Sequence, residues 1–579
     1  MSEQIIEEPF SIIEDFSAID FHGLFLNKDS IEKNTRKSIQ IWYLKRYLSY
    51  LGCKSILVEN SYIDRDYLMD YQDFYVRCSK NYNRKCKRAH FFSCKLDKDT
   101  ISKIIETPSK QEGKIDEIKN SYLGFTVIKP LPDKVIGKTC IKHYPEKENR
   151  HFYSVKEYYS NLFGINFHIE TLAFQQQDTI MAACATVSLW CAFHQTSEIF
   201  GHYIPSPGQI TKSATLNIID RNRVIPSQGL APEQICDAIR HVGLTYETFS
   251  VEDKKSFLGI IHSYLKMHLP IIMGFLRPDN KYHAVTITGY KLEDPTPKDN
   301  GEVEKEIDFE IVSDNISELY IHDDQIGPFS RVFIKEKSEE NVPKVFIKYQ
   351  SYKGDDEDNE DGEDEDIKEI KKLMKNVKLI PLYSFSDKYV SSKPGIRLEL
   401  EYPDTDDEDI NSRNSENKEV IPHVLIIPLY EKIRINYTNI YKEANRINAF
   451  IKSIIKTKII WDIFLYTSNK FKEEILKDDK LPIAIRTKIL TDCMPKYIWR
   501  CQVKMQNTKK ENEVFLELIF DSTDISGNTS FLYFLSGDEQ KKFLKTEYEK
   551  IKKETDRSKI TMSLVDKEFI KFFEDFLNR

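Results

Sequence analysis

The stretch "QQQDTIMAACATVSLWCAFH", residues 175–194, contains the longest charge-free apolar run of a chain in which 30% of residues are charged. The run from Ile180 to Phe193 spans 14 residues, which is short for a membrane span and typical of a buried helix. We expect this helix to lie at the centre of the fold. Because cysteine is among the residues most often buried, Cys184 and Cys191 are core residues unless distant partners indicate otherwise.

The segments that follow predict further helices and then a set of strands. Pro232 stands where a helix begins and Gly243 where it ends. Alternating and continuous apolar runs then predict antiparallel strands, so we expect an α+β fold. The predicted helices are "PEQICDAIRHVG" (232–243) and "KSFLGIIHSYLKMH" (255–268), and the predicted strands are "LPIIMGF" (269–275), "YHAVTITGY" (282–290), "IDFEIVSD" (307–314) and "ELYIHDDQIGPF" (318–329).

Helical and strand patterns also alternate in the two flanks, which predicts α/β accessory domains there. The N-terminal flank has a helix at 35–52, closed by Gly52, and strands at 55–60 and 123–132; the C-terminal flank has strands at 423–429, 497–505 and 513–521 and a helix at 440–456. We predict an N-terminal accessory domain (1–150), a central domain (151–350), an acidic insertion (351–420) and a C-terminal accessory domain (421–579).

The insertion is expected to be partly disordered, with short strands. In "DDEDNEDGEDED" (355–366), ten of the twelve residues are acidic, and "DTDDEDINSRNSENKE" (404–419) is similar. Such segments bury too little apolar area to offset the entropy of ordering. Two strand-like runs, "VKLIPLY" (377–383) and "GIRLELEY" (395–402), lie between them.

Composition and charge exclude several classes of partner. The formal net charge is -8, so we expect neither nucleic-acid binding nor a membrane surface as partner. The basic stretch "RKCKRAH" (84–90) is predicted to be a solvated turn or helix face. Cys78, Cys86, His90 and Cys94 lie close in sequence but contain no CxxC pair, and we expect no metal and no cofactor.

The distribution of the cysteines and the first residues of the chain indicate the cellular compartment of the protein. The ten cysteines are dispersed over a large chain, and the first residues, "MSEQIIEEPFSIIEDF", lack the basic and apolar regions of a signal peptide. Free thiols in a reducing cytoplasm are therefore expected. The Lys-, Ile- and Asn-rich composition suggests a bacterial protein.

Four residue types needed for thiol catalysis occur in one order along the chain. A nucleophilic thiol needs a base, a group that orients the base, and donors for the oxyanion. Gln176 or Gln177 precedes Cys184, and His283 and Asp323 then lie at a strand start and a strand end. Singly these residues mean little, but together they indicate nucleophilic catalysis.

Residues 160–335 resemble the papain-like cysteine peptidases, within them the bacterial branch of bacteriocin-processing double-glycine peptidases. The resemblance is carried by "QQQD…AACATVSLW", "LPIIMGF", "YHAVTITGY" and "YIHDDQIG". It implies a papain-like core, a central helix packed on an antiparallel sheet. It also implies that Cys184 is the nucleophile, His283 the general base and Asp323 the residue that orients it, with Gly327 closing the turn.

The match departs from the family at two positions. The family has proline where this chain has Asp324, which leaves Asp324 as an alternative to Asp323; Asp314 and Asn315 are further candidates. In the family, five residues separate a glutamine from the cysteine, and at that spacing this chain has Asp178. Gln177 lies one position further from Cys184 and is predicted to be the oxyanion donor, with Gln176 or another group as alternatives.

The start of the central helix and several nearby side chains are further questions. With Asp178 or Thr179 as N-cap, Cys184 would lie in the second turn; with an irregular "TIMA" segment it would lie in the first. Cys191 is expected to be structural and Trp190 a core residue. His194 and His322 are expected in loops or at the surface.

The predicted function is that of an intracellular cysteine peptidase or amide hydrolase with a Cys–His–Asp triad and a thioester intermediate. Its substrate would be a peptide or protein, and the flanking domains would control substrate choice or bind a regulatory protein. Fold alone does not distinguish hydrolysis from acyl transfer. The alternative is a catalytically inactive papain-like scaffold that binds a partner.

Overall fold

The structure is a computed structural model, and it describes residues 8–25, 38–178, 180, 183–216, 229–277, 281–294, 309–335, 396–402, 419–455, 458–479, 481–505, 514–524, 530–553, 564–565 and 567–578. These residues all fall within one compact unit, formed by 1–335 and 396–579. The acidic stretches at 355–366 and 404–418 and the run at 377–383 lie outside the described residues, so the expectations for them stay predictions.

Six antiparallel strands form a closed barrel in the central part of the chain. Neighbouring strands in space are neighbours in sequence, and the barrel closes because its first strand, Ile271–Leu276, pairs with its last, Glu419–Leu429. Thr245–Ser250 pairs with the last strand, and Arg150–Phe152 with the second. The barrel strands are Ile271–Leu276, Tyr282–Leu292, Ile316–Asp323, Gly327–Lys335, Arg397–Leu400 and Glu419–Leu429.

The helix Cys184–Phe200, called the central helix below, packs against the barrel strand Tyr282–Leu292. Every residue from Ala185 to Thr196 is buried, which explains why the helix is apolar on all sides. Gly201 ends it with φ of 77°, a left-handed conformation that glycine adopts without steric cost. The helices that follow are Pro207–Ala214, Pro232–His241, Lys254–Leu265 and the 3-10 helix Val312–Asn315.

A five-stranded antiparallel sheet, the N-terminal sheet, precedes the central helix. Its strands, in spatial order, are Phe10–Ile13, Ser55–Tyr62, Cys86–Phe92, Tyr122–Ile128 and Ile136–Ile141. The helices of this part are Phe21–Leu24, Ile39–Tyr50, Arg65–Asp73, Lys98–Glu106 and Glu112–Asn120, with 3-10 helices at Tyr75–Arg77 and Pro108–Lys110. A hairpin of Lys156–Leu162 and Ile165–Thr171 connects this sheet to the central helix.

The prediction for "RKCKRAH" is wrong, because most of this stretch belongs to the middle strand of the N-terminal sheet. All residues of the strand Cys86–Phe92 except Lys87 are buried, and the strand is paired on both sides. The Arg88 guanidinium bonds the Glu59 carboxylate, and His90 Nε2 lies 3.0 Å from the same carboxylate. The charge of Arg88 is thus neutralised within the sheet.

A four-stranded antiparallel sheet, the C-terminal sheet, forms the last part of the chain. Its strands are Ile459–Thr467, Tyr497–Met505, Val514–Asp521 and Phe531–Leu535. Its helices are Tyr437–Ile454, Ser468–Lys477, Ile483–Thr491, Asp538–Lys553 and Lys567–Asn578. The strand Glu419–Leu429 crosses the boundary predicted at residue 420 and belongs to the barrel, so the barrel draws on both predicted segments.

The α+β class is correct, and the helices and strands predicted for 232–290 lie where expected. One strand prediction is wrong: of residues 307–314, the described part holds an isolated bridge at Ile311 and the start of the 3-10 helix Val312–Asn315. Lys255 and the Ile311 N–H both reach the Asp314 carboxylate there, which favours a turn over a strand. None of the helices described combines the length and apolar character that a bilayer span requires.

Candidate active site

Cys184 is the first residue of the central helix. Ala183 precedes it with extended backbone, φ -88° and ψ 175°, and its carbonyl accepts the first helical hydrogen bond from the Val187 N–H at 3.0 Å. Of the two starts considered for this helix, the one with Cys184 in the first turn is therefore correct. The residue is partly exposed and lies at the end of the helix where the backbone dipole is positive.

Two hydrogen bonds fasten the central helix to the strand that carries His283. The Ser188 hydroxyl donates to the Ala284 carbonyl at 2.7 Å, and the Thr286 hydroxyl donates to the Ser188 carbonyl at 2.8 Å. Ser188 lies one turn after Cys184, and Ala284 follows His283. These bonds hold the start of the helix next to the strand of His283, and the sequence alone did not indicate them.

His283 and Asp323 face each other on neighbouring barrel strands. His283 Nε2 lies 2.9 Å from Asp323 Oδ1, and both side chains are buried. The same Asp323 oxygen accepts the Gln325 N–H at 2.8 Å. The strand Ile316–Asp323 ends at this carboxylate, so the turn that follows holds it in place.

The electrostatics of this pair favour a charged imidazole. Burial acts against charge on both groups, but the Asp323 carboxylate and a hydrogen bond with Cys184 raise the pKa of His283 well above its usual value. Burial likewise opposes the charge of Asp323, yet His283 lowers its pKa. Because Cys184 contributes to this shift, the predicted nucleophile and the predicted base lie close to each other.

Asp324 lies near the same nitrogen of the imidazole, at a longer distance. Its Oδ1 is 3.7 Å from His283 Nε2, beyond hydrogen-bond distance, and neither carboxylate oxygen has a hydrogen-bond partner among the described residues. Burial, reinforced by the negative charge of Asp323, raises the pKa of Asp324 to about 7. Asp323 therefore has the shorter contact to the imidazole, and Asp324 is a second buried carboxyl beside it.

The turn after the two aspartates is supported by the N-terminal helix Ile39–Tyr50. The Tyr43 hydroxyl donates to the Pro328 carbonyl at 2.8 Å, and Gln40 Nε2 donates to the Asp324 carbonyl at 3.1 Å. At Gly327 a Cβ atom would lie 2.1 Å from a Tyr43 ring carbon, so only glycine permits this approach. Gln40 and Tyr43 lie more than 280 residues from these partners, and no sequence pattern indicated them.

Gln325 is a site residue that sequence reasoning missed. Its Nε2 lies 3.5 Å from His283 Nδ1, the ring nitrogen that does not face Asp323, and Arg277 donates to its Oε1. Arg277 thus orients the amide nitrogen of Gln325 toward the imidazole. A polar residue in the turn directly after Asp324 was the signal that could have found it.

The two candidate glutamines have different environments. Gln176 is buried, and its Oε1 accepts the Ile136 N–H at 3.3 Å, which makes it part of the edge of the N-terminal sheet. Gln177 is half-buried and lines a cavity of about 490 Å³ that Gln325 also lines. Asp178, at the family spacing, is bonded by Tyr75 and by the Ile180 N–H.

Other residues singled out in the sequence lie elsewhere. Asp314 bonds Lys255 and the Ile311 N–H and does not approach His283. Cys191 and Trp190 are fully buried in the core, as expected. The surface prediction for His194 and His322 is wrong, since both are buried.

The contacts of His194 and His322 are those of neutral, buried imidazoles. His322 accepts the Phe329 N–H at 3.1 Å, its Nε2 lies 3.0 Å from the Leu172 carbonyl, and burial lowers its pKa to about 4. His194 packs on Trp190 with ring centroids 4.3 Å apart, and burial lowers its pKa well below the usual value. Both are therefore neutral core residues.

One set of side chains in the described part of the chain is close enough to share a metal ion: His283, Asp323 and Asp324, with ligand atoms within 4.8 Å. Cys78, Cys86, His90 and Cys94 do not form such a set, and His90 instead contacts Glu59 and the Tyr122 hydroxyl. The 2.9 Å contact of Nε2 with Asp323 is a hydrogen-bond distance. We therefore interpret these three side chains as an imidazole oriented by a carboxylate, and not as a metal site.

Comparisons of the chain with models of protein families, with curated proteins and with solved structures find no match.

Proposed function

We propose that this protein is a cysteine peptidase or related amide hydrolase in which Cys184, His283 and Asp323 form the catalytic triad. The observation that carries the proposal is the arrangement at the helix start: a partly exposed thiol on a helix that is hydrogen-bonded to the strand of His283, and a buried imidazole whose Nε2 lies 2.9 Å from a buried carboxylate. Nucleophile, base and orienting group follow in the order that thiol catalysis requires.

The first half of the reaction forms a thioester. His283 takes the thiol proton, and the Cys184 thiolate attacks the carbonyl carbon of the scissile amide. Because Nε2 is held by Asp323, Nδ1 is the nitrogen that exchanges the proton. The tetrahedral oxyanion then collapses, the C–N bond breaks, and His283 gives its proton to the leaving amine.

The second half releases the acyl group. A water molecule gives one proton to His283 and attacks the thioester carbon, and the C–S bond breaks as the carboxylic acid leaves. The thiolate and the imidazolium are thereby restored. A second amine in place of water would make the same site an acyl transferase, since both reactions begin with the same thioester.

Two donors suit the oxyanion. The backbone N–H of Cys184, at the first helical position, has no partner within the helix. The Gln177 amide lines the cavity next to Gln325 and has no hydrogen-bond partner among the described residues. We propose that these two groups form the oxyanion hole.

The papain-like resemblance supports the same proposal. A helix that begins at the thiol packs on a strand that carries the imidazole, and the carboxylate ends the next strand. We propose that the barrel and central helix are a papain-like core acting on peptides or proteins. The N-terminal helix Ile39–Tyr50 supports the turn after Asp323, so the flanks take part in shaping the site.

The test is the rate at which a peptidyl acyloxymethyl ketone labels each cysteine, measured by mass spectrometry of the full chain. We expect Cys184 to react at least about 100-fold faster than Cys493, an exposed cysteine outside the site that serves as internal control. Labelling should be abolished in Cys184→Ser and reduced at least about 100-fold in His283→Ala. Equal rates at Cys184 and Cys493 would support the inactive-scaffold alternative and refute the proposal.

A further inference from the structure

The cavity beside the candidate active site suggests what kind of substrate side chain it accepts; this inference rests on the proposed function. The volume of about 490 Å³ lies within the range of about 300–1,000 Å³ typical of small-ligand sites. Gln325 links the cavity to the imidazole, since its amide nitrogen lies 3.5 Å from His283 Nδ1. A group bound there would be next to the reacting bond.

Most of the residues that line this cavity are polar, although the surface that they expose to it is more apolar than polar. Ile39, Ile41 and Val135 are its apolar residues, and the remaining seven of the ten lining residues are polar or charged. Small-ligand sites are usually lined mainly by apolar side chains. The apolar part of the wall suits the methylene groups of a substrate side chain, so the choice of its end group depends on the polar side chains among them.

Three of the glutamines that line the cavity are already engaged. Gln40 accepts the Ser38 hydroxyl at 2.9 Å and donates to the Asp324 carbonyl at 3.1 Å. Gln176 accepts the Ile136 N–H, and Arg277 holds the carbonyl of Gln325. These side chains form fixed walls, so the ligand must be recognised by other groups.

Asp133 and Lys134 supply those groups. Both line the cavity from the turn between the strands Tyr122–Ile128 and Ile136–Ile141, and both are half-buried. Within the described ranges neither side chain has a hydrogen-bond or ion-pair partner, although the Lys134 charge interacts at longer range with the Asp324 carboxyl. One carboxylate and one ammonium thus face the same space, where an acceptor suits Lys134 and an N–H donor suits Asp133.

We propose that this cavity binds a side-chain amide of the substrate, glutamine or asparagine, at a residue next to the scissile bond. The amide carbonyl accepts from Lys134 and the amide N–H donates to Asp133, so both charges are satisfied by one uncharged group. A carboxylate in the same place would meet Asp133, and an aliphatic side chain would leave both charges without a partner. The N-terminal sheet would then determine substrate specificity.

The experiment compares three residues, Gln, Glu and Leu, at each of the two positions before the electrophile of a peptidyl acyloxymethyl ketone, and it uses the full chain. We expect the second-order rate of Cys184 labelling to be at least about tenfold higher for Gln than for Glu or Leu at one of these positions. Equal rates for Gln, Glu and Leu at both positions would overturn the proposal.

Two variants of cavity residues test whether Lys134 and Asp133 bind the side-chain amide of the substrate. Lys134→Met is expected to reduce the preference for Gln over Leu to about threefold or less, and Asp133→Asn to raise the rate of the Glu probe severalfold. The matched control is Lys95→Met, the same substitution at an exposed lysine outside the cavity lining, and should keep the wild-type preference. Thermal unfolding of each variant checks that it is folded. A Gln preference unchanged in both cavity variants would also overturn the proposal.

Iodoacetamide separates this proposal from the proposed function. It carries no peptide, so its rate at Cys184 relative to Cys493 reports only the activation of the thiol. Fast alkylation of Cys184 with equal rates for all peptidyl probes refutes amide recognition alone. Alkylation of Cys184 no faster than that of Cys493 refutes the proposed function.

Discussion

At the scale of single residues, the most unusual feature of the site is that two buried carboxyls lie near one nitrogen of the same imidazole. Asp323 forms the hydrogen bond and Asp324 does not, although both lie within 4 Å of His283 Nε2. The His283 charge lowers the pKa of Asp323, whereas burial raises that of Asp324. The two neighbours therefore differ in both charge and role, and two substitutions can separate them.

The first prediction concerns reactivity. Asp323→Asn replaces the acceptor at 2.9 Å from His283 by an amide that can turn its N–H toward the ring, so the tautomer needed for catalysis is lost. We expect the rate of Cys184 labelling by a peptidyl probe to fall at least about 100-fold in Asp323→Asn and less than about tenfold in Asp324→Asn. The reverse order of effects would assign the third triad position to Asp324.

The second prediction concerns the stability cost of Asp324. Burial raises its pKa to about 7, above that of an unfolded aspartate, so the folded chain retains the proton longer than the unfolded chain does. Stability is therefore lost as pH rises from about 4 to about 7. We expect Asp324→Asn to leave the free energy of unfolding nearly unchanged at pH 4.5 and to increase it by about 2–4 kcal/mol at pH 8.

Urea unfolding at the two pH values measures this difference. The control is Asp116→Asn, at a side chain that is 72% exposed, which should change the free energy of unfolding by less than about 0.5 kcal/mol at either pH. A destabilised Asp324→Asn at pH 8 would show that the ionised carboxylate has a stabilising partner.

At the scale of elements, the turn between the strands Ile316–Asp323 and Gly327–Lys335 depends on a helix from the other end of the sequence. The absence of a side chain at Gly327 lets the Tyr43 ring pack against the turn and its hydroxyl reach Pro328. The position of Asp323 is thereby linked to the helix Ile39–Tyr50. The third prediction tests this contact.

Gly327→Ala would place a Cβ 2.1 Å from a Tyr43 ring carbon, and the turn or the helix must then move. We expect a loss of about 2–4 kcal/mol in the free energy of unfolding, measured in urea, and slower Cys184 labelling because Asp323 shifts. In the Tyr43→Leu background the additional cost of Gly327→Ala should fall by at least about 1 kcal/mol.

The matched control is Gly113→Ala, at a helical glycine with nothing within 4 Å of the added Cβ. It should be neutral or stabilise by up to about 1 kcal/mol. Additive effects of Gly327→Ala and Tyr43→Leu would contradict the proposed contact.

Local patterns in the sequence predicted most of these elements but not their partners. The apolar run before Phe193 and the alternation at 282–290 predict a helix and a strand because burial of each face imposes its own period. The strand Cys86–Phe92 was missed because its Arg and His are paired with Glu59 across the sheet, which composition cannot show. The closure of the barrel by Glu419–Leu429 likewise depends on pairing with a strand about 150 residues earlier.

For the site too, local patterns predicted the residues but not their partners. Cys184, His283 and Asp323 were candidates because their residue types and order suit thiol catalysis, and the structure brings them together. Gln325 and Tyr43 were missed because their roles follow from distances across the fold. The histidines His194 and His322 were misplaced because a neutral imidazole can be buried as readily as an aromatic ring.

At the scale of the whole molecule, a buried polar cluster joins the barrel to the C-terminal sheet. Asp462, on the first strand of that sheet, lies 2.8 Å from His262 Nε2, 3.0 Å from Lys266 Nζ and 3.2 Å from Lys504 Nζ. His262 in turn lies 2.8 Å from the Tyr290 hydroxyl. Tyr290 belongs to the strand that carries His283, so the cluster connects the C-terminal sheet to the strand of the candidate base.

The fourth prediction follows from the charges in this cluster. Burial opposes ionisation of Asp462, but Lys266 and then His262 outweigh it, so its pKa lies well below the usual value. Replacing this carboxylate by an amide leaves the half-buried ammonium groups of Lys266 and Lys504 without their partner. We expect Asp462→Asn to lower the free energy of unfolding by about 3–5 kcal/mol at pH 7.

The sign of the pH dependence provides a second measurement. A carboxyl whose pKa is lowered in the folded chain contributes its stability above the unfolded pKa of about 4, and that contribution is lost as pH falls further. The difference between wild type and Asp462→Asn should therefore be full at pH 7 and shrink progressively below about pH 4. The control is Asp479→Asn, whose side chain is 97% exposed in its ion pair with Arg486, and its cost should stay below about 0.5 kcal/mol. A cost for Asp462→Asn as small as that of the control would mean that the ion pairs of Asp462 contribute little to the stability of the folded chain.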